Sequence, residues 1–224
     1  MEKKHIGDTK FWTYINLAGN AIGLNLMFMI VCLPVVTIGP AMCGLYSGVR
    51  YMIRGDGWFG GFWAGFRTRF VRTSIAGLVS VAAMAYMLVN FNTAFNFYRD
   101  NGSMVPMITF GAMAVLPAMI IASLWPLNIY IPYGTADWLR NTVSLVFKAP
   151  LPVLATAALM IAPVILVLYF TTLAFYGCII IIAVYFAVAA FASTLLYKDD
   201  LVRLLKQYRG EHPQEEEYLQ EETE

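Results

Sequence analysis

Side chains that could carry acid–base catalysis or bind a metal are few in this sequence and lie far apart. The two histidines, His5 and His212, both lie in terminal segments outside the apolar runs. The three cysteines all lie within apolar runs and have neither metal-ligand spacing nor a paired pattern. We therefore predict no catalytic residue, no metal site and no cofactor. The net charge of +1 also predicts no nucleic-acid partner.

A glycine-rich loop at residues 54–72 is the other segment whose composition suggests chemistry, because such loops can bind phosphate groups. It lacks the Lys-Ser/Thr pair that would hold phosphates and magnesium, so it is not a phosphate-binding loop of that kind. Aromatic residues instead recur at every fourth position, at Trp58, Phe62, Phe66 and Phe70. This spacing predicts the aromatic face of an amphipathic helix.

Two interpretations of this loop remain open. Its aromatic face could anchor the next span at the membrane interface, with the nearby arginines at the level of the lipid headgroups. Alternatively, the loop could be a docking surface for a cytoplasmic partner. The residues of that surface would be Asp56, Trp58, Phe62, Trp63, Phe66 and Arg67.

The segments that flank these residues are long runs without charged side chains. Asp, Glu, Lys and Arg are absent from residues 11–49, 73–98, 101–136 and 149–197. A helix that crosses a bilayer needs roughly 20 apolar residues, and a soluble 25.0 kDa globule has too little interior for four such runs. The sequence therefore predicts an all-α, polytopic transmembrane helical bundle embedded in the lipid bilayer.

We expect about five hydrophobic segments within a single transmembrane domain, residues 1–197. These segments are 11–53, broken at 34–40, and 74–98, 104–133, 151–171 and 177–197. The last two share one charge-free run, with a turn expected at 171–176. Residues 198–224 are predicted to form a cytoplasmic helix followed by an acidic, disordered tail.

Basic residues orient the spans, since cytoplasmic loops are enriched in Lys and Arg. They cluster in residues 50–72, in 140–148 and in 198–209, whereas the loop at 99–103 has one arginine beside one aspartate. We therefore place residues 54–72, 134–149 and the C-terminus in the cytoplasm.

The path of residues 11–53 stays open. Lysines before the first run favour a cytoplasmic N-terminus, which requires a hairpin of residues 21–33 and 41–53. The five arginines after that run favour one long, kinked span with the N-terminus outside. A weak internal similarity favours the second path: Pro40-Ala41-Met42 and Pro117-Ala118-Met119 each precede an acidic-aromatic pair and a basic stretch. Chance explains that similarity equally well.

Polar groups within the spans are uncharged, which argues against proton-coupled transport. The most prominent are the side chains of Asn25, Asn90 and Asn92. Asparagine on a membrane helix more often forms a helix–helix hydrogen bond than a substrate contact. The intramembrane prolines could break helices along a pathway or serve packing alone.

The segment from Asn25 to Tyr46 resembles the signature of the YesL family of bacterial membrane proteins. The matching residues are Asn25, Pro34, Thr37, Gly39, Pro40 and Ala41, within Leu-Pro-Val-Val-Thr-Ile-Gly-Pro-Ala. Downstream, Phe62-Trp63 and Phe66 with the following basic residues are similar to that family's Phe-Trp-x-x-Phe-Lys segment. The resemblance covers roughly residues 9–205 and supplies no catalytic residues.

This resemblance implies a function near carbohydrate ABC importers, beside which such proteins are typically encoded. It implies a non-catalytic accessory or permease-like subunit in the bacterial plasma membrane, with ABC permease or ATPase subunits as partners and a sugar as the solute. Asp56-Gly57-Trp58 is also weakly similar to the coupling loop of sugar ABC permeases, although Met52-Ile53-Arg54 replaces the usual Glu-Ala-Ala. The alternative hypothesis is an independent channel or facilitator for a small neutral solute. An enzyme is the least favoured class.

Overall fold

The computed structural model describes residues 10–131, 134–169 and 171–211, and its regular elements there are all helical, which confirms the predicted all-α fold. The α-helices are α1 (Lys10–Val31), α2 (Ile38–Arg54), α3 (Trp58–Arg67), α4 (Phe70–Asn101), α5 (Val105–Tyr130), α6 (Thr135–Lys148), α7 (Pro150–Tyr169) and α8 (Thr171–Glu211). Both histidines and the predicted acidic tail lie outside the described residues.

The first apolar run folds into a helical hairpin, one of the two paths that the sequence leaves open. Leu24 of α1 packs on Gly48 of α2, where its side chain takes the space that a Cβ on Gly48 would need. The helices have 22 and 17 residues, which correspond to about 33 and 25 Å. A single kinked span could not bring residues 24 and 48 into contact, so that alternative is wrong.

The turn of this hairpin is built by proline and threonine. Pro34 has extended backbone angles and precedes a short 3₁₀ helix, Val35–Thr37. The Thr37 hydroxyl lies 2.7 Å from the Pro34 carbonyl oxygen, to which it donates, and so closes the turn. Pro40 follows in the first turn of α2, where a backbone N–H would have no intrahelical acceptor.

Within the described residues, two helices are long and apolar enough to cross a membrane: α4, with 32 residues, and α5, with 26. They match the predicted segments 74–98 and 104–133. Helix α6 and residues 150–162 of α7 together pass the same test as one span, broken by a bend of 105°, which would make three. Gly102 ends α4 with φ +70°, and its N–H donates to the Tyr98 carbonyl at 2.8 Å.

The fourth apolar run differs from the prediction at its turn. Helix α7 ends at Tyr169 and α8 begins at Thr171, so residues 171–176 are the first turns of a helix and the predicted turn there is wrong. Helix α8 then continues without interruption to Glu211, past Tyr197. Leu201 and Leu204 are buried with the core, so this part of α8 packs with the bundle.

Helix α2 is the central helix of the bundle and contacts α1, α3, α4, α5 and α8. Its residues 39–41 and 43–49 are all buried. Glycines permit this enclosure. A Cβ on Gly39 would collide with the Thr73 carbonyl of α4, and one on Gly77 would lie 2.6 Å from the Gly39 nitrogen. The backbones of α2 and α4 therefore touch, in the manner of small-residue crossings between membrane helices.

The same device holds α3 against α2. The Phe62 ring lies where a Cβ on Gly44 would be, and Gly65 approaches Cys43 and Ser47 so closely that a Cβ would lie 2.6 Å from the Cys43 carbonyl oxygen. Helix α3 thus runs back along α2 with its glycine face inward.

Alanine at position 39 or 77 should destabilise the protein, since an added methyl group would force α2 and α4 apart. Overpacking of this kind typically costs about 1–3 kcal/mol, which should lower the thermal unfolding midpoint in detergent. Gly111→Ala is the matched control, because Gly111 also lies in a helix but nothing lies within 4 Å of the place that an added Cβ would occupy. Its midpoint should stay the same or rise. Equal midpoints for Gly39→Ala and the unsubstituted protein would contradict the backbone contact.

Candidate functional site

The residues that carry the family resemblance hold the α1–α2 hairpin together. Thr37 closes the turn after Pro34, Gly39 contacts α4, and Pro40 and Ala41 are buried in the first turn of α2. Of these, only Pro34 is well exposed. The geometry therefore gives this segment a packing role, and it brings no reactive group to the surface.

Asn25 completes that role by joining α1 to α8. It is fully buried, and its Oδ1 accepts a hydrogen bond from the backbone N–H of Ala187 at 3.1 Å. One turn later, the Phe28 ring packs on Phe186, with centroids 5.3 Å apart. The predicted helix–helix role of Asn25 is confirmed. Asn90 instead donates to the Tyr86 carbonyl of its own helix, at 2.7 Å.

The aromatic residues of the predicted docking surface face mostly inward. Phe62 is fully buried, and Phe66 stacks on it with a centroid distance of 6.2 Å. Trp58 is half-buried and lies over Gly23 of α1. The half-buried Trp63 packs edge-on against Phe66 at 5.3 Å. The fourfold spacing thus identifies a shared face, but α1 and α2 cover much of it.

The exposed part of this segment is the connection between α2 and α3 together with the helix ends on either side of it, and we call these residues, 53–60, the α2–α3 loop. All of its residues except Trp58 are exposed. Asp56 lies at its centre, between the exposed apolar side chains of Ile53 and Phe59. Arg67 is exposed at the other end of α3. The structure therefore separates Asp56 and Phe59, at the loop, from the buried aromatic residues.

A second constellation, which the sequence analysis did not identify, joins four helices around Asn128. The Asn128 Oδ1 accepts a hydrogen bond from Arg72 Nη2 at 2.6 Å, and its Nδ2 donates to Cys43 Sγ at 3.3 Å. The Arg72 guanidinium lies over the Trp138 ring, 4.2 Å from the centroid. The buried Trp138 in turn donates from Nε1 to the Leu124 carbonyl at 2.9 Å. Cation–π contact and amide acceptors thus stabilise a half-buried positive charge.

Arg50 makes a parallel arrangement near the end of α5. Its Nη1 donates to the Ile129 carbonyl at 3.1 Å, and its guanidinium lies 5.3 Å from the centre of the Tyr130 ring. The Tyr130 hydroxyl reaches Thr194 of α8 at 3.4 Å. The C-terminal ends of α2 and α5 therefore lie on the same side of the molecule, together with the basic residues that flank them.

No group of three or more His, Cys, Asp or Glu side chains that could hold a metal ion occurs in the part of the chain that the structure describes. The side chains that meet at Asn128 and Arg72 supply a guanidinium, an amide, a thiol and an indole ring.

A comparison with protein-family models matches residues 21–91 to a family described as "Protein of unknown function, DUF624". The matched region runs from within α1 to within α4, so it contains the hairpin, the α2–α3 loop and the glycine crossing. No curated protein and no solved structure is similar enough to this chain to match it.

Replacing Asn25 should weaken the attachment of α1 to α8. In Asn25→Ala, a buried hydrogen bond between α1 and α8 is lost, which typically costs about 0.5–1.5 kcal/mol. We expect a lower unfolding midpoint in detergent. Asn20→Ala is the matched control, because Asn20 lies in the same helix and is exposed. If both variants unfold at the same temperature, the hydrogen bond contributes nothing to stability.

Proposed function

We propose that the chain is a non-catalytic membrane subunit, accessory or permease-like, that works with a carbohydrate ABC importer in the bacterial plasma membrane. The YesL-like signature supports this proposal, and it lies inside the region that matches the DUF624 model. The observation that carries it is the α2–α3 loop, which presents exposed apolar and acidic side chains on a rigidly packed helix pair.

The loop is suited to docking because its base cannot move freely. Helix α3 is held against α2 by backbone-close glycine contacts, so Ile53, Asp56 and Phe59 project from a fixed support. Preorganised side chains lose little conformational entropy on binding, and an exposed aromatic residue is a frequent anchor of an interface. The exposed Asp56 adds a charge through which a partner with a basic group would be selected.

The side on which the loop lies also supports a cytoplasmic partner. Arg50 connects the end of α2 to the end of α5, and α6 follows α5 after a short connection. Three exposed cations lie on this basic side of the molecule: Arg54 in the loop, and Arg140 and Lys148 on α6. The excess of Lys and Arg that marks cytoplasmic loops therefore supports a cytoplasmic position for the α2–α3 loop and α6.

The partner contact can be tested with two substitutions in the loop. The protein is purified from its bacterial membrane in mild detergent, and ABC permease and ATPase subunits are quantified by mass spectrometry. Phe59→Ser combined with Asp56→Asn should reduce their recovery by roughly tenfold, because anchor residues carry most of the free energy of an interface. Phe97→Ser is the control, because Phe97 is similarly exposed, by 46% against 55% for Phe59. It lies near the C-terminal end of α4, whereas the loop precedes the N-terminal end of that helix.

If no ABC permease and no ATPase subunit co-purifies with the unsubstituted protein, the proposal is wrong. Rapid equilibration of a neutral sugar across liposomes that contain this protein alone would also contradict it, since that result indicates an independent facilitator.

The orientation can be tested by cysteine labelling in a variant that lacks Cys32, Cys43 and Cys178. A membrane-impermeant maleimide added to intact cells should label Asn101→Cys, at the end of α4, and should not label Asp56→Cys or Arg140→Cys. The latter two should react once the membrane is permeabilised, because the basic side faces the cytoplasm. Labelling of Asp56→Cys in intact cells would reverse the assignment.

A further inference from the structure

Helix α6 has the geometry of a helix that lies along a membrane surface. It makes an angle of 105° with α7, so it lies close to parallel with the bilayer plane when α7 is near the membrane normal. Leu139, Val143 and Phe147 are exposed at every fourth position, beside the exposed charges of Arg140 and Lys148. An exposed apolar stripe with flanking cations is typical of helices at the level of the lipid headgroups.

Trp138 of α6 contacts Arg72 near the start of α4. Its ring is buried on α6 and stacks against the Arg72 guanidinium. Arg72 therefore lies close to the depth of α6, and Arg69 lies one turn earlier, in the connection between α3 and α4. The positive charges of Arg69 and Arg72 are near enough to repel each other.

Arg69 carries two unfavourable features at once. Its φ of +51° is the only positive value at a non-glycine residue among those that the structure describes, and an L-residue is strained in that conformation because its Cβ crowds the following carbonyl oxygen. Its Nη1 is also buried without a hydrogen-bond partner. A buried donor on a cation loses hydration that nothing replaces. Strained backbone of this kind clusters at ligand-binding sites and switch regions.

The surface next to Arg69 specifies what kind of ligand fits. An apolar stripe begins two residues later and continues up α4. Its members are exposed by 43–71% and are Val71, Ile75, Leu78 and Val79. A molecule that contacts both the arginines and this stripe must have an anionic head and a long apolar portion.

We propose that Arg69 and Arg72 bind the phosphate of an anionic phospholipid, whose acyl chain lies along the α4 stripe. The phosphate charge pairs with both guanidinium groups and offsets the repulsion between them. Arg72 is held in place for this contact by Asn128 and Trp138. Free inorganic phosphate carries the same charged group but has no apolar part that could contact the stripe.

The test is a titration of the purified full-length protein in uncharged detergent. Phosphatidylglycerol is added, and thermal unfolding gives the shift in midpoint and the apparent affinity. Phosphatidylcholine with the same acyl chains and inorganic phosphate are titrated in parallel. Phosphatidylglycerol should raise the midpoint, and the other two should have much weaker effects.

Arg69→Gly separates binding from folding, since glycine adopts a positive φ without strain. Without lipid, this variant should unfold at the same temperature as the parent protein or higher. Its apparent affinity for phosphatidylglycerol should fall by about tenfold or more, as expected for a lost hydrogen bond to a charged group. Arg140→Gln is the matched control: it removes an exposed cation from α6 and should leave the affinity within roughly twofold of the parent value.

Three outcomes would overturn the proposal. The first is an unchanged affinity for phosphatidylglycerol in Arg69→Gly. The second is an equal loss in Arg140→Gln, which would indicate attraction to the basic surface as a whole. The third is an equal midpoint shift with inorganic phosphate, which would indicate a site for a free anion.

Discussion

The backbone contact between Gly39 and Gly77 is the constraint on which the first four helices depend. Lipid is as apolar as a leucine side chain, so helices gain little by leaving it unless their surfaces fit closely. Here the fit is set by missing side chains, because any Cβ at either position would collide with the other backbone. With α4 fixed on one side, α2 becomes the central helix, and Gly44 leaves room for Phe62 to be buried beneath α3.

That arrangement determines what reaches the basic side of the molecule. Glycines turn the aromatic residues of α3 inward, and the loop that remains outside carries Ile53, Asp56 and Phe59. The same packing brings Arg72 to Asn128 and Trp138, so neutral acceptors and an aromatic face hold a cation that water only partly solvates. The α2–α3 loop and the arginine pair are thus two consequences of the same packing. Residues in either one can be substituted without changing the contact between Gly39 and Gly77.

The properties of this fold that depend on local composition could be predicted from the sequence, and those that depend on distant contacts could not. The charge-free runs predict helices α4 and α5, because the hydropathy of a segment depends only on the residues within it. The predicted turn at 171–176 lies too far along the chain, because no charge or proline marks the boundary between α7 and α8 in the sequence. Fourfold spacing identified the face shared by Phe62 and Phe66 but not that α2 covers Phe62. The bond between Arg72 and Asn128 joins positions 56 residues apart, and nothing in either neighbourhood indicates the other.

The region that matches the family model contains both residues that pack the helices together and residues that stay exposed. The matched region, residues 21–91, contains the hairpin and the glycine crossing, and the signature residues within it close a turn, pack a backbone or join α1 to α8. Residues that serve packing in this way chiefly determine how the helices fit together, since function resides in sites that a fold supports and not in the fold itself. The residues that can distinguish one function from another are therefore those that the packing leaves exposed or unsatisfied: Phe59 and Asp56 on the loop, and Arg69 at the start of α4.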